Sequence, residues 1–269
     1  MKIILSRKGF DIKNGGCPSP IMPDGTLLSM PIPSDDDASY DDLCYNGERY
    51  SYILKQLKPH KNFTNCHIDP DIRDDNRVSP IAGWRPAFGQ SEAAQGLLSN
   101  AGVEKGDIFL FFGWFRRIEK HNGSYRFISR KTGGFYDHND LQIIYGYMQI
   151  GDILTEKVDF SEYPWHPHTS NAFSHTGKNA LYIPTDKLSL LPDLKGYGTL
   201  DYRKDRVLTM EGKNRGTWNE LPFLLPEHTY GEKKNSSKGE GLYYRGIWQE
   251  LVIYESAGLT EWVRSVIKR

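Results

Sequence analysis

The run Asp107-Ile-Phe-Leu-Phe-Phe-Gly-Trp-Phe-Arg-Arg117 constrains this chain more than any other stretch. Phe109 to Phe112 are four consecutive large apolar residues. A strand with one wet face alternates apolar and polar positions, so an unbroken run predicts a strand covered on both faces. The strand is expected to stop at Gly113 and to present Trp114, Phe115, Arg116 and Arg117 beyond it. An aromatic and two guanidiniums at the end of a buried strand suit the floor and rim of a pocket. The plainer alternative is that the aromatics extend the core and the arginines are solvated.

Leu141 to Ile150 is a second strong strand, in which Gly146 marks a bend or a close approach. Shorter strands are expected at Lys2–Ser6, Asn179–Ile183 and Trp248–Tyr254, and an edge strand or hairpin arm at Leu200–Thr209. Asp24-Gly25 and His121-Asn-Gly-Ser124 read as hairpin turns. Apolar spacing near 3.6 predicts helices at Tyr50–Leu57, Glu92–Asn100 (N-capped by Ser91) and Leu259–Ile267. Leu221–Pro226, broken by two prolines, is expected as an extended cover. With 16 Tyr, 26 Gly and 15 Pro in 269 residues, strands and loops outweigh helices. The expected architecture is α+β and mostly β. It is one domain over residues 1–269, around a mixed or barrel-like sheet with a few peripheral helices.

Lys plus Arg and Asp plus Glu are 34 each, so no bulk charge draws the chain to nucleic acid or anionic lipid. Cys17, Cys44 and Cys66 are odd in number, widely spaced and without a CxxC pair. That argues against a thiolate zinc site and fits a reducing cytoplasm. The first apolar run, Ile3-Ile-Leu5, is too short for a signal peptide or a span. The expected location is cytoplasmic, with no membrane partner; protein partners are not indicated.

Three stretches carry candidate chemistry. Arg7-Lys8-Gly9-Phe10-Asp11 puts two cations beside a glycine, which suits a phosphate or carboxylate, and Asp11 can orient either cation. The alternative is a surface ion-pair cluster. His67-Ile-Asp69-Pro-Asp71 places one imidazole and two carboxylates on one face of an extended chain, fit for acid–base work or a divalent ion. The motif is short, so no metal is assigned and the cofactor is left unidentified. Trp165-His166-Pro167-His168, with His175 nearby, offers imidazoles for substrate contact or structural hydrogen bonds. Ser34–Asp42, with Asp35, Asp36, Asp37, Asp41 and Asp42, reads as a solvated acidic loop. GxGxxG, P-loop, nucleophile-elbow, HExxH and zinc-deaminase patterns are missing from the sequence.

The succession Ser6-Arg-Lys-Gly-Phe-Asp11, Gly16-Cys-Pro-Ser-Pro-Ile21, Pro31-Ile-Pro33, His67-Ile-Asp-Pro-Asp71, Phe112-Gly-Trp-Phe-Arg116 and Tyr145-Gly-Tyr-Met-Gln-Ile150 resembles the nucleotide modification associated domain 3 family. Trp165-His-Pro-His168, Asn179-Ala-Leu-Tyr182 and Gln249-Glu250 extend the likeness over most of the chain. It implies base or nucleotide modification as the setting and supplies no reaction. The strands at 105–111 and 144–150 are also similar to those of PUA- and EVE-like barrels, which host bases in aromatic pockets. That is an analogy of fold.

The leading reading is a nucleic-acid or nucleotide base-modification protein with a polar cleft beside an aromatic pocket. Asp11, His67, Asp69, Asp71 and His168 are the catalytic candidates. Arg7 and Lys8 would hold phosphate; Trp114, Tyr145 and Trp165 would wall the base; Arg116, Gln149 and Asn179 would read its edge. The alternatives are a non-catalytic reader of modified bases in DNA or RNA, and an interaction protein whose polar motifs are structural.

Overall fold

In the computed structural model, all residues are described except 37, 74, 130–131, 156–158, 171–172, 174–176, 232–240, 245–248 and 269. Asp37, His175 and Trp248 therefore lie outside the described residues. The apolar runs become strands of one mixed sheet: β1 (Ile3–Arg7), β2 (Ser19–Ile21), β3 (Phe88–Ser91), β4 (Ile108–His121), β5 (Ser124–Phe127), β6 (Leu141–Leu154), β7 (Asn179–Pro184), β8 (Tyr197–Thr199), β9 (Thr229–Tyr230) and β10 (Glu250–Ile253). Their order is β9-β10-β1-β4-β6-β7-β3, with β8 added to β6, and β2 and β5 to β4. The two ends of this order are not paired, so among the described residues the sheet is open and not a barrel.

β4 is the central strand, and Phe109 to Phe112 are fully buried. Period two divides its side chains between two cores. Ile108, Leu110 and Phe112 pack with Trp218 and with Leu259, Val263, Val266 and Ile267 of the helix Leu259–Ile267. Phe109, Phe111 and Phe115 pack with Phe88, Tyr182 and Leu98. There the ring of Phe88 stands edge-on to Phe109 and Phe111 at 4.8 and 5.1 Å, the geometry the aromatic quadrupole favours.

The strand does not stop at Gly113. β2 takes up pairing at Phe115–Arg117 and β5 at Ile118–His121, so the ladder continues. Gly113 answers a different need: a Cβ there would stand 2.7 Å from the carbonyl oxygen of Lys8. Gly146 is a close approach as expected, with a register shift beside it and Ile72 within 2.8 Å of any added Cβ. The helices at Tyr50–Leu57, Glu92–Asn100 and Leu259–Ile267 form over the residues their periodicity marks. Leu200–Thr209 is not a strand. It carries a 3-10 turn at Lys204–Arg206 and single bridges at Val207 and Thr209, because the buried Arg206 side chain donates to three backbone carbonyls and holds the turn. The apolar cover at 221–226 is built from 3-10 turns, in which Phe223 and Leu224 are buried. No helix among the described residues is long and apolar enough to cross a membrane.

One feature of the register positions the site. β1 and β2 both run parallel to β4 on its same side, Arg7 opposite Phe112 and Ser19 opposite Phe115. Residues 8–18 must therefore leave the sheet and return within that short interval. The excursion starts at Gly9 (φ +80°) and is held by Asp11, which accepts from the backbone N–H groups of Lys13 and Asn14, both at 2.7 Å.

Candidate functional site: a histidine and carboxylate cleft

The excursion opens a cleft of about 430 Å³ at the end of β1. Arg7, Lys8, Asp11, His67, Asp69 and His168 all line it, so three separate stretches of sequence converge. Each arrives on its own support. His67 sits on a two-strand ladder, Ile32–Pro33 with Cys66–His67, which brings Asp36 beside it. His168 sits on a 3-10 turn, Pro167–Thr169, and Pro167 pre-sets that turn.

The hydrogen bonds behind these groups fix how they face the cleft. His67 Nδ1 donates to Asp36 Oδ2 at 2.5 Å. This bond, first, holds the Asp36 carboxyl below its ordinary range against its burial. His168 Nδ1 lies 2.9 Å from Asn179 Oδ1, and Asn179 Nδ2 returns a bond to the His168 carbonyl at 2.8 Å. The second bond orients the amide, so its oxygen accepts and His168 carries its proton on Nδ1. Burial pushes the His168 ring down to about 4 against the pull of Asp69, so it is neutral at pH 7.

Asp69 accepts from the Gly89 backbone N–H at 2.7 Å, and its side chain is 5% exposed. Burial alone would raise this carboxyl; His166 and the Lys8 charge outweigh it and hold Asp69 well below the usual carboxylate range. Lys8 Nζ stands between two carboxylates, 3.7 Å from Asp69 and 3.6 Å from Glu250, over the Phe88 ring. Glu250 is 1% exposed and accepts from Ser6 Oγ and Gln90 Nε2. Burial pushes its carboxyl up to about 7, against Lys8, Ser6 and Gln90. The cleft thus combines a fixed anion, a cation and a neutral imidazole, and behind Lys8 lies the buried Glu250, an acid raised toward neutrality; such pairing of shifted groups is what acid–base chemistry depends on.

A larger chamber of about 890 Å³ adjoins the cleft and shares Arg7, Asp11, Asn14 and Gln249 with it. Trp114 walls it, with the Arg215 guanidinium 3.8 Å above the indole.

Other candidates stand apart. Asp71 is absent from the cleft lining: its Oδ2 turns inward to Arg77 at 2.7 Å and to Trp84 Nε1 at 2.9 Å. Backbone bridging of Asp71 to Ala87 sets that direction, so the shared face expected for His67, Asp69 and Asp71 is not realised. Arg116 bonds the Ile128 carbonyl on the hairpin. Gln149 is tied to Gly106 and Ser189. Tyr145 is buried between Phe111 and Phe115 and borders a small void of about 40 Å³ beside Asp69. Trp165 lines another cavity, of about 680 Å³, which shares only Asp36 with the cleft. Asn179 lies behind His168, not at the cleft.

Gly89 and Arg215 carry no signal in the sequence, Asp36 reads only as part of a solvated run, His166 stands out only beside His168, and Glu250 only within the Gln249-Glu250 motif. Asp36 is hidden in an acidic run that looks solvated, yet its carboxylate reaches back to His67. Glu250 had a signal: it is a carboxylate next to Leu251-Val-Ile253 in a buried strand.

An open mixed sheet carrying such a cleft defines an α+β protein with a preorganised site of imidazoles, carboxylates and a lysine. The chain belongs to the nucleotide modification associated domain 3 family, whose profile matches residues 2–253 and so spans every cleft residue. The resemblance seen in the sequence motifs is borne out, and with it an association with nucleotide modification. Among curated proteins and solved structures, none matches the chain.

Proposed function

We propose that this protein modifies the base of a nucleotide, or of a short nucleic-acid segment, in the cleft at the end of β1. The observation that carries the reading is convergence: Arg7, Lys8, Asp11, His67, Asp69 and His168 line one cleft, which shares a wall with the Trp114 chamber. In this reading Arg7 contacts phosphate, for which its guanidinium is matched in charge and shape. The base lies against the flat Trp114–Arg215 pair, since both indole and guanidinium planes stack bases. His168, Asp69 and Lys8 then serve proton transfer and charge stabilisation at the ring edge. Zero net charge favours a free nucleotide or a short strand over a long duplex held by its phosphates.

The test is mass spectrometry of nucleosides from DNA, and of free nucleotides, incubated with the wild-type chain in cell extract filtrate. A new nucleoside that disappears with Arg7→Ala and Asp69→Ala supports the reading. A second reading, a non-catalytic reader of modified bases, is favoured by the Trp114–Arg215 pair taken alone. Saturable binding of base-modified oligonucleotides, lost with Trp114→Ala and without any product, would decide for it.

A further inference from the structure

We propose that His67, Asp69 and His168 form a binding site for one divalent transition-metal ion, facing the cleft. The site needs no assumption about the reaction, although it lies in the cleft assigned to it. One donor atom from each of the three side chains falls within 4.8 Å of the others. Metal–nitrogen and metal–oxygen bonds near 2.1 Å place donors on one ion about 3–4 Å apart, so the three converge on a common point with little movement.

Proximity alone would be weak ground; the outer contacts carry the inference. A ligating histidine usually gives its second ring N–H to a carboxylate or carbonyl, which fixes the tautomer and turns the lone pair to the metal. Both imidazoles here do so: His67 through Nδ1 to Asp36, and His168 through Nδ1 to the Asn179 carbonyl oxygen. Each is left with Nε2 as its donor. The carboxylate is likewise held, by the Gly89 N–H. Behind it lies His166, 1% exposed, whose Nδ1 accepts from the His168 backbone N–H. That places the His166 proton on Nε2, which has no hydrogen-bond partner and points at Asp69 Oδ1 from 3.6 Å. Gly89 also makes the room: a Cβ there would overlap the His168 ring at 2.3 Å. A ring pressed on bare backbone, with one nitrogen tied from behind, is set in a single orientation.

The donor set selects the ion. Two imidazoles and one carboxylate suit the series from manganese to zinc, whereas magnesium and calcium favour oxygen alone. Three protein donors leave at least one coordination position free, and here it opens onto the cleft. Charge is also compatible: Asp36 and Asp69 are anionic, and the Lys8 ammonium, 3.7 Å from Asp69, is too distant to occupy its lone pairs.

The full-length chain, stripped with chelator, should be titrated with Co(II), Mn(II) and Zn(II) by calorimetry, with visible absorption for Co(II). One ion per chain is expected, with micromolar or tighter affinity and no competition from millimolar Mg(II). Asp69→Asn and His168→Ala should each weaken Co(II) binding at least 100-fold, and Asn179→Ala, which removes no donor, about 10- to 100-fold with altered Co(II) absorption. Circular dichroism checks that each variant is folded. Absence of binding by the folded wild-type chain overturns the site, as does binding that survives in the His67→Ala/His168→Ala variant. Binding is read without turnover, so a folded chain that binds no metal yet makes product would overturn this inference and leave the proposed function standing, whereas a chain that binds metal and makes no product would do the reverse.

Discussion

Asp69 and Asp71 lie two residues apart in one motif and have opposite fates. Asp69 opens to the cleft and is held ionised by Lys8, His166 and a backbone N–H, so its charge is displayed. Asp71 is 2% exposed and closed in by Arg77 and Trp84, and burial pushes its carboxyl up despite them. The first belongs to a region that leaves polar groups facing space; the second turns its Oδ2 inward to a guanidinium and an indole. The difference shows that a motif is read by its surroundings. The loop 8–18 and β3 leave one carboxylate facing the cleft, and the segment carrying Arg77 and Trp84 turns the other inward.

The sharpest way to break this contrast is Asp71→Ala. It strands Arg77, whose side chain is 7% exposed, without its partner. The expected loss is about 3–5 kcal/mol, with a fall in melting temperature on the order of 10 °C. An unchanged melting curve would show that the pair does not fasten the fold.

Next in size is the titration of Glu250. Its folded carboxyl is raised from 4.5 to about 7, so between those values the native state holds a proton the unfolded chain has released. Stability from this group is full below pH 4.5 and is lost as the pH rises through 7. Glu250→Gln lacks that slope. Relative to the variant, the wild type should therefore lose about 3 kcal/mol across the window, measured by urea unfolding at pH 4.5 and pH 8. Parallel dependence in the two proteins would mean that Lys8, Ser6 and Gln90 keep Glu250 ionised throughout, against its burial and the Asp69 charge.

Asp69→Asn tests the role proposed for the cleft-facing carboxylate. Product formation should drop at least 100-fold while the melting temperature moves by only a few degrees, the reverse of the Asp71 variant. Trp114→Ala should weaken nucleotide or oligonucleotide binding about tenfold, as the loss of one stacking face predicts. Arg116→Ala is the smallest: its guanidinium serves the Ile128 carbonyl, so binding and turnover should stay within about twofold. A large effect there would return Arg116 to the base-binding group.

The main strands and helices were legible because burial imposes a period. Phe109–Phe112 could only be covered on both sides, and Tyr50–Leu57 and Leu259–Ile267 show helical spacing in few residues. Gly113 was misjudged because a glycine that admits a neighbouring backbone looks the same in sequence as one that ends a strand. Leu200–Thr209 misled because apolar residues around a turn imitate an edge strand. At the site, the stretches around Arg7, His67 and His168 stood out by local composition, and all three converge. Their supports did not, since Asp36, Gly89 and Glu250 matter through partners far away in the chain. Arg116 and Gln149 were residue types apt for reading a base, but sheet register turned them to other duties.

The excursion at residues 8–18 has an engineering consequence. Both its ends are anchored to β4 in fixed register, at Phe112 and at Phe115, and the strands on either side belong to buried cores. The segment is in effect a cassette in a rigid socket. Its tip, where Ile12 is 70% exposed, can be lengthened or exchanged while the socket keeps its shape, because loop closure grows only slowly with length. Ligand preference in such a scaffold can drift by editing the cassette, while the imidazoles and carboxylate opposite stay where the sheet has put them.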